Sequence, residues 1–259
     1  MSELLRIENL SIDIKGQDKK RSLISNLNLD IGAFETVALV GGSGGGKTTI
    51  GFSILKILPS AMSVGGGRIL FNGKNLLECD EKQMQKIRGK EISMVFQEPL
   101  SAFNPVFRIG TQIAEVLQFH TDLDRKQIKK RVYELLDIVE VPDPKRVASY
   151  YPHQLSGGLR QRAMIAQAIA GNPKLIIADE PTSNLDVTIQ AKILSLFKKL
   201  KNELNISMFL ITHDLGVVRF LADRVFILDT GCIVESGCVS DIFDRPKQEF
   251  TRKLMALVK

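Results

Sequence analysis

The sequence predicts an α/β fold: a core that begins with an N-terminal β region and is split by an inserted helical subdomain. Three observations carry this. The N-terminal stretch alternates apolar and polar positions, as at Leu27, Leu29 and Ile31, which suits a half-buried sheet. Residues 98–170 instead space their apolar side chains three and four apart, the period of an amphipathic helix. After Pro173 short apolar runs alternate with helical stretches again. The core is therefore expected at about 1–97 and 171–259 and the helical subdomain at about 98–170, within one domain over 1–259.

In chain order, strands are expected at 4–14, 23–31 and 36–40. The last is continuously apolar and runs into glycines, which suits a buried strand feeding a loop. A helix is expected at 50–58, closed by Pro59, then strand and turn at 65–73 and a short buried strand at 92–96. The insert should hold helices at 109–119, 125–139 and 156–170. Beyond it, strands at 175–178, 206–211, 224–228 and 231–235 are expected with helices at 188–204 and 215–221, and a last helix at 248–258.

The 259 residues suffice for one large domain, and 44% apolar residues can build its core. No apolar run approaches membrane-spanning length, and the start reads as a first strand rather than a signal peptide. The net charge of +6 is spread along the chain and reads as a solvated surface. Cys79, Cys232 and Cys238 are odd in number and lack a CxxC spacing, which excludes a disulfide framework and a zinc site. His120, His153 and His213 lie far apart and form no metal-ligand cluster.

The chemistry concentrates in three segments. Gly41, Gly42, Ser43, Gly44, Gly45, Gly46, Lys47 and Thr48 match the phosphate-loop pattern GxxxxGK[ST], and Thr49 continues into the helix. Glycines let the backbone curl so that N–H groups point at phosphates, and the positive end of the following helix adds attraction. Lys47 would reach the β- and γ-phosphates, and the Thr48 hydroxyl would ligate Mg²⁺. Residues 175–180 form an apolar run that ends in Asp179 and Glu180. Asp179 suits the Mg²⁺ shell, and Glu180 can act as general base on the attacking water. In the third segment Ser156 can cap a helix, while Gly157 and Gly158 leave backbone N–H groups open to a phosphate.

With these three segments in this order, the chain resembles the ABC ATPase family, over nearly its whole length. The resemblance identifies Gln97 with the glutamine that touches Mg²⁺ or water and senses the membrane subunit. It identifies 181–186, ending in Asp186, with the loop that crosses to a partner subunit, and His213 with the switch histidine at the γ-phosphate. It implies ATP and Mg²⁺ as cofactors. It also implies that one chain supplies Lys47, Thr48, Gln97, Asp179, Glu180 and His213, while a second ABC ATPase subunit supplies Ser156, Gly157 and Gly158. That second subunit is expected to be a different chain, with a second copy of this one as the alternative. Two transmembrane permease subunits and an extracytoplasmic substrate-binding protein complete such a system. The chain is then peripheral, on the cytoplasmic face of the inner membrane. A groove between the core and the insert would take a short coupling helix. The alternative, an ATPase of the same family that acts on nucleic acid, usually shows coiled coils, zinc insertions or two modules. This chain shows none of them, so no nucleic-acid partner is expected.

Several positions depart from the family. No aromatic precedes Phe34 to stack on adenine, so an aliphatic such as Ile14, or a residue that the sequence does not place, would have to take that role. Phe34 and Glu35 stand where Gly-Glu is usual, Leu159 where Gln is commonest, and Asn184 where Ala is commoner. The stretches 97–105, 109–113 and 151–162 are similar to the peptide and nickel importer branch; His153 within the last reads as a packing or hydrogen-bonding residue before the helix. Peptide members often carry a cysteine-bearing extension that this sequence lacks, which tilts the expected cargo slightly toward nickel or a metal chelate.

Overall fold

The computed structural model describes residues 3–15, 20–42 and 44–256. The strands are β1 (Glu3–Lys15), β2 (Lys20–Gly32), β3 (Thr36–Gly41), β4 (Met62–Phe71), β5 (Lys74–Asn75), β6 (Ile92–Val95), β7 (Leu175–Asp179), β8 (Ser207–Thr212), β9 (Arg224–Asp229) and β10 (Cys232–Cys238). The helices are α1 (Lys47–Ile54), α2 (Glu81–Ile87), α3 (Pro99–Ala102), α4 (Ile109–His120), α5 (Arg125–Ile138), α6 (Pro144–Ala148), α7 (Gly157–Ile169), α8 (Val187–Leu204), α9 (Leu215–Leu221), α10 (Val239–Asp244) and α11 (Glu249–Ala256). The chain divides into two compact units, residues 1–84 with 207–259, and residues 85–206.

In the first unit β2, β1, β4 and β5 form an antiparallel sheet in that order. Along β1 the inward positions Leu5, Ile7, Leu10 and Ile12 are buried. The step from Ile7 to Leu10 breaks strict alternation, and the ladder shifts register there. Asn9 absorbs the extra residue at φ 49. Gly67 on β4 lies so close that an added Cβ would be 2.6 Å from the Asn9 carbonyl oxygen. The bulge returns Leu10 to the core face. The remaining strands of this unit run in the order β10, β9, β3, β8. β3 is parallel to both β8 and β9, and every residue of β3 and β8 is buried. Such continuously apolar strands are what a sheet covered on both faces requires.

Arg224 at the start of β9 ties the two strand groups together: it donates to both carboxylate oxygens of Asp30 on β2, at 2.8 and 3.1 Å, and to Glu35 at 3.3 Å. The hydrogen bond from Arg224 holds the Asp30 carboxyl below its usual range, and the same partners raise the guanidinium further.

In the second unit β6 and β7 pair in parallel, with Val95 opposite Ala178. The helices α4 and α5 bury one face each, and α7 is buried on most sides from Gln161 onward. A capping box starts α5: Asp124 accepts from the Lys126 and Gln127 amides while Gln127 accepts from the Asp124 amide. Asp186 caps α8 and Asn205 ends it at φ 51.

Element type follows the sequence expectation wherever a period was long enough to read. Helix α1 begins three residues earlier than expected, because Gly46 at φ 89 starts it, and it ends at Ile54 before Lys56 turns at φ 52. Short α2, α3, α6 and α10 were not expected; at four to seven residues they hold too few apolar positions to show a period. The last helix is described to Ala256, so the end of the expected 248–258 stretch lies outside the described residues.

Candidate functional site: a phosphate loop and a helix-start turn

In the first unit β3 ends at Gly41, where only glycine fits: an added Cβ would meet the Leu228 carbonyl oxygen at 2.3 Å. The chain then curls through Gly44 at φ 75 and Gly46 at φ 89, a handedness that costs glycine nothing. Ser43 lies outside the described residues. Helix α1 starts at Lys47 with no acidic residue in its first turn, so the amides of Lys47, Thr48 and Thr49 present positive partial charge. The Lys47 side chain folds back over the loop, only 8% exposed, and donates to the carbonyls of Gly41 at 2.9 Å and Gly42 at 2.8 Å. A buried ammonium beside a curl of glycine amides is a seat for a polyphosphate.

A cavity of about 300 Å³ opens on this loop, lined by Gly44 to Thr49 and walled by Ile14, Leu23 and Met62. Ile14, one candidate to stand in for an aromatic, is thus beside the loop, while Leu23 and Met62 carried no sequence signal. The Thr49 hydroxyl donates to the Met62 sulfur at 3.9 Å. Val40 of β3 lies opposite Thr212 of β8, so the loop and His213 leave the sheet at the same end. His213 is exposed there, directly before Asp214, which caps α9 through the Gly216 and Val217 amides.

In the second unit the pairing of β6 with β7 brings Gln97 and the pair Asp179 and Glu180 off the same strand ends. Asp179 is 3% exposed. Glu180 sits at φ 45, a left-handed conformation that a side-chain-bearing residue rarely holds. Its carbonyl accepts from the Ser183 amide at 3.2 Å and the Ser183 hydroxyl at 3.1 Å. Ser156 caps α7, its hydroxyl accepting from the Leu159 amide at 3.4 Å. Gly157 is exposed, with only the Leu185 side chain near a would-be Cβ, at 3.7 Å. The α7 residue Gln161 donates to the Pro181 carbonyl at 2.7 Å. A small cavity of about 110 Å³ is lined by Gln97–Leu100, Gly157, Arg160, Gln161 and 181–185. Asp186 accepts from the Ile189 amide at 2.9 Å, so its carboxylate serves the α8 cap. His153 lies stacked against Tyr151 with ring centroids 5.7 Å apart.

A glycine-curled loop between a buried parallel strand and a helix, with its lysine drawn over it, defines a P-loop nucleoside triphosphatase. The family profile for ABC transporters matches residues 24–183. The oligopeptide transport ATP-binding protein OppD of Bacillus subtilis (strain 168) is 46% identical over 99% of this chain and 72% of its own length. The dipeptide transport ATP-binding protein DppD of the same organism is 42% identical over 100% of this chain and 77% of its own. Among solved structures, a dimeric ATP-binding cassette in a post-hydrolysis state with ADP and Pi superposes with a TM-score of 0.80. It is 30% identical, covering 91% of this chain and 99% of that one. The chain belongs to the ABC transporter family, as one of its ATP-binding, ATP-hydrolysing members.

Proposed function

We propose that this ATPase powers import of peptides through an ABC transporter, closing with a second ATPase subunit on two ATP molecules. The observation that carries the cargo is the 46% identity, over 99% of the chain, with an oligopeptide transport protein. Both relatives described above bear peptide names, so the slight tilt toward nickel gains nothing from them. Two membrane permeases and an extracytoplasmic binding protein are the remaining partners, with the chain peripheral on the cytoplasmic face of the inner membrane. Among the described residues no helix is long and apolar enough to cross a membrane. Leu100, Val106 and Phe107, shortly after Gln97, are exposed apolar side chains that suit contact with a permease.

In this reading the amides of 44–49 and the Lys47 ammonium hold the β- and γ-phosphates, and Ile14, Leu23 and Met62 seat the base by apolar contact. Thr48, Asp179 and Gln97 are the oxygen ligands that suit a hard divalent cation; bound there, Mg²⁺ neutralises phosphate charge. Glu180 takes a proton from water as the water oxygen bonds to the γ-phosphorus and the bond to the β-phosphate oxygen breaks. His213 donates to the γ-phosphate, and Ser156, Gly157 and Gly158 of the second subunit close the site. The test is reconstitution with the permeases and binding protein. Peptide-loaded binding protein should stimulate ATP turnover; stimulation by nickel chelate alone would overturn the cargo.

A further inference from the structure

The stretch that follows Glu180 is held at three places inside the second unit. Ser183 donates to the Glu180 carbonyl. Gln161, itself 2% exposed, donates to the Pro181 carbonyl. The third tie reaches furthest along the chain: the Asn184 amide nitrogen donates to the Glu98 carboxylate at 2.5 Å, across 86 residues of sequence. Glu98 follows Gln97 directly, and its own carbonyl accepts from the Ser101 and Ala102 amides at 3.1 and 3.3 Å. Glu98 is therefore fixed to the short helix α3, which carries the exposed Leu100.

The geometry points to the Asn184–Glu98 hydrogen bond as a positioning link that makes the segment after β6 and the segment bearing Glu180 move together. Two features support it. A neutral amide bonded to a carboxylate is charge-assisted and stronger than an ordinary surface contact. Glu180 holds a left-handed backbone that persists only where the surroundings over-determine it, and the Asn184 side chain is one anchor of the turn that follows. A push on Leu100 then reaches Glu180 through Glu98 and Asn184, with no wider rearrangement needed. This inference rests on the roles given above to Gln97 and Glu180.

The test is steady-state ATP turnover by the transporter reconstituted with both ATPase subunits, with a thermal melt of each variant. Asn184→Ala and Glu98→Ala should each lower kcat about three- to tenfold, leaving KM for ATP within about twofold and Tm unchanged. The double variant should be no slower than either single one. Asn184→Asp sets two carboxylates face to face and should be slow. Adding Glu98→Gln reverses donor and acceptor and should restore at least about half the parental kcat. Parental turnover in Asn184→Ala, additive losses in the double variant, or no rescue by the reversed pair would each overturn the link. A reconstituted parental transporter that lacks ATPase activity would remove the functional reading and the link together. A parental ATPase indifferent to Asn184→Ala removes the link alone.

Discussion

Lys47 in the first unit is nearly buried, its ammonium already gripped by two carbonyls of its own loop. Ser156 and Gly157 in the second unit stand exposed at the start of α7, with only the Leu185 side chain, at ordinary contact distance, beside the place of a Gly157 side chain. Both regions offer a phosphate the same physics, amides at a helix start, yet one is built in advance and the other is left open. Pre-building lowers the ordering cost of nucleotide capture by a single chain. Openness suits a surface that is completed only by another molecule. Substitutions should therefore separate into those that break capture or chemistry in one chain and those that break only closure.

Glu180→Gln should have the largest effect, lowering kcat roughly 10²- to 10⁴-fold, the range for losing a general base, while ATP affinity stays parental. Equilibrium binding beside turnover checks it, and parental turnover would remove Glu180 from this role. Lys47→Ala should come next, weakening ATP binding about 10- to 100-fold through loss of charge-assisted contacts. Calorimetric titration of a single chain reads it directly. Undiminished affinity would mean that the loop does not capture phosphate in advance, and the contrast between the regions would fall.

The contrast also explains what could be read from sequence. The phosphate loop was legible because adjacent residues dictate their own backbone: glycines permit φ 75 and φ 89, and the apolar run before them can only be a buried strand. Ser156 was legible as a cap for the same local reason. Leu23 and Met62 were not, because they reach the cavity from β2 and β4, and nothing local marks an aliphatic residue as a wall rather than core. Asn184 stood out only as an unusual residue; its partner Glu98 is fixed by tertiary structure. The asparagine bulge at Asn9 was likewise invisible, since a one-residue slip in alternation looks like noise until the paired strand is seen.

Gly157→Asp probes the open region. A carboxylate has room there, its nearest neighbour being the Leu185 side chain, so the chain should fold and bind ATP as before. Brought against a partner's γ-phosphate it should weaken ATP-dependent dimerisation about tenfold or more. Size-exclusion chromatography of a Glu180→Gln background with ATP measures this. An unimpaired dimer would show that the turn never meets phosphate.

A smaller effect should come from Arg224→Met, which touches neither phosphate region. Asp30 has its carboxyl held low by Arg224, so the pair stabilises the fold above the ordinary carboxylate pKa and that stability is lost as pH falls through the lower folded value. The variant should lose only a few tenths of a kcal/mol at neutral pH, because both side chains are substantially exposed. Its acid unfolding should start at a higher pH, which a pH series of thermal melts will show. An unchanged acid limb would mean the pair adds nothing.

The smallest shift should be stabilising. Phe34 holds φ 63 in the turn before β3 and is 60% exposed, so its ring gains little burial in return for left-handed backbone strain. Its amide donates to the Ser207 hydroxyl at 2.7 Å, a bond that any non-proline residue can keep. Asparagine tolerates this conformation far better than phenylalanine. Phe34→Asn should therefore raise stability by about 0.5–1 kcal/mol and leave ATP turnover unchanged. A denaturant midpoint that stays put or falls would show that the exposed ring packs usefully, and that the turn entering the pre-built region is not strained after all.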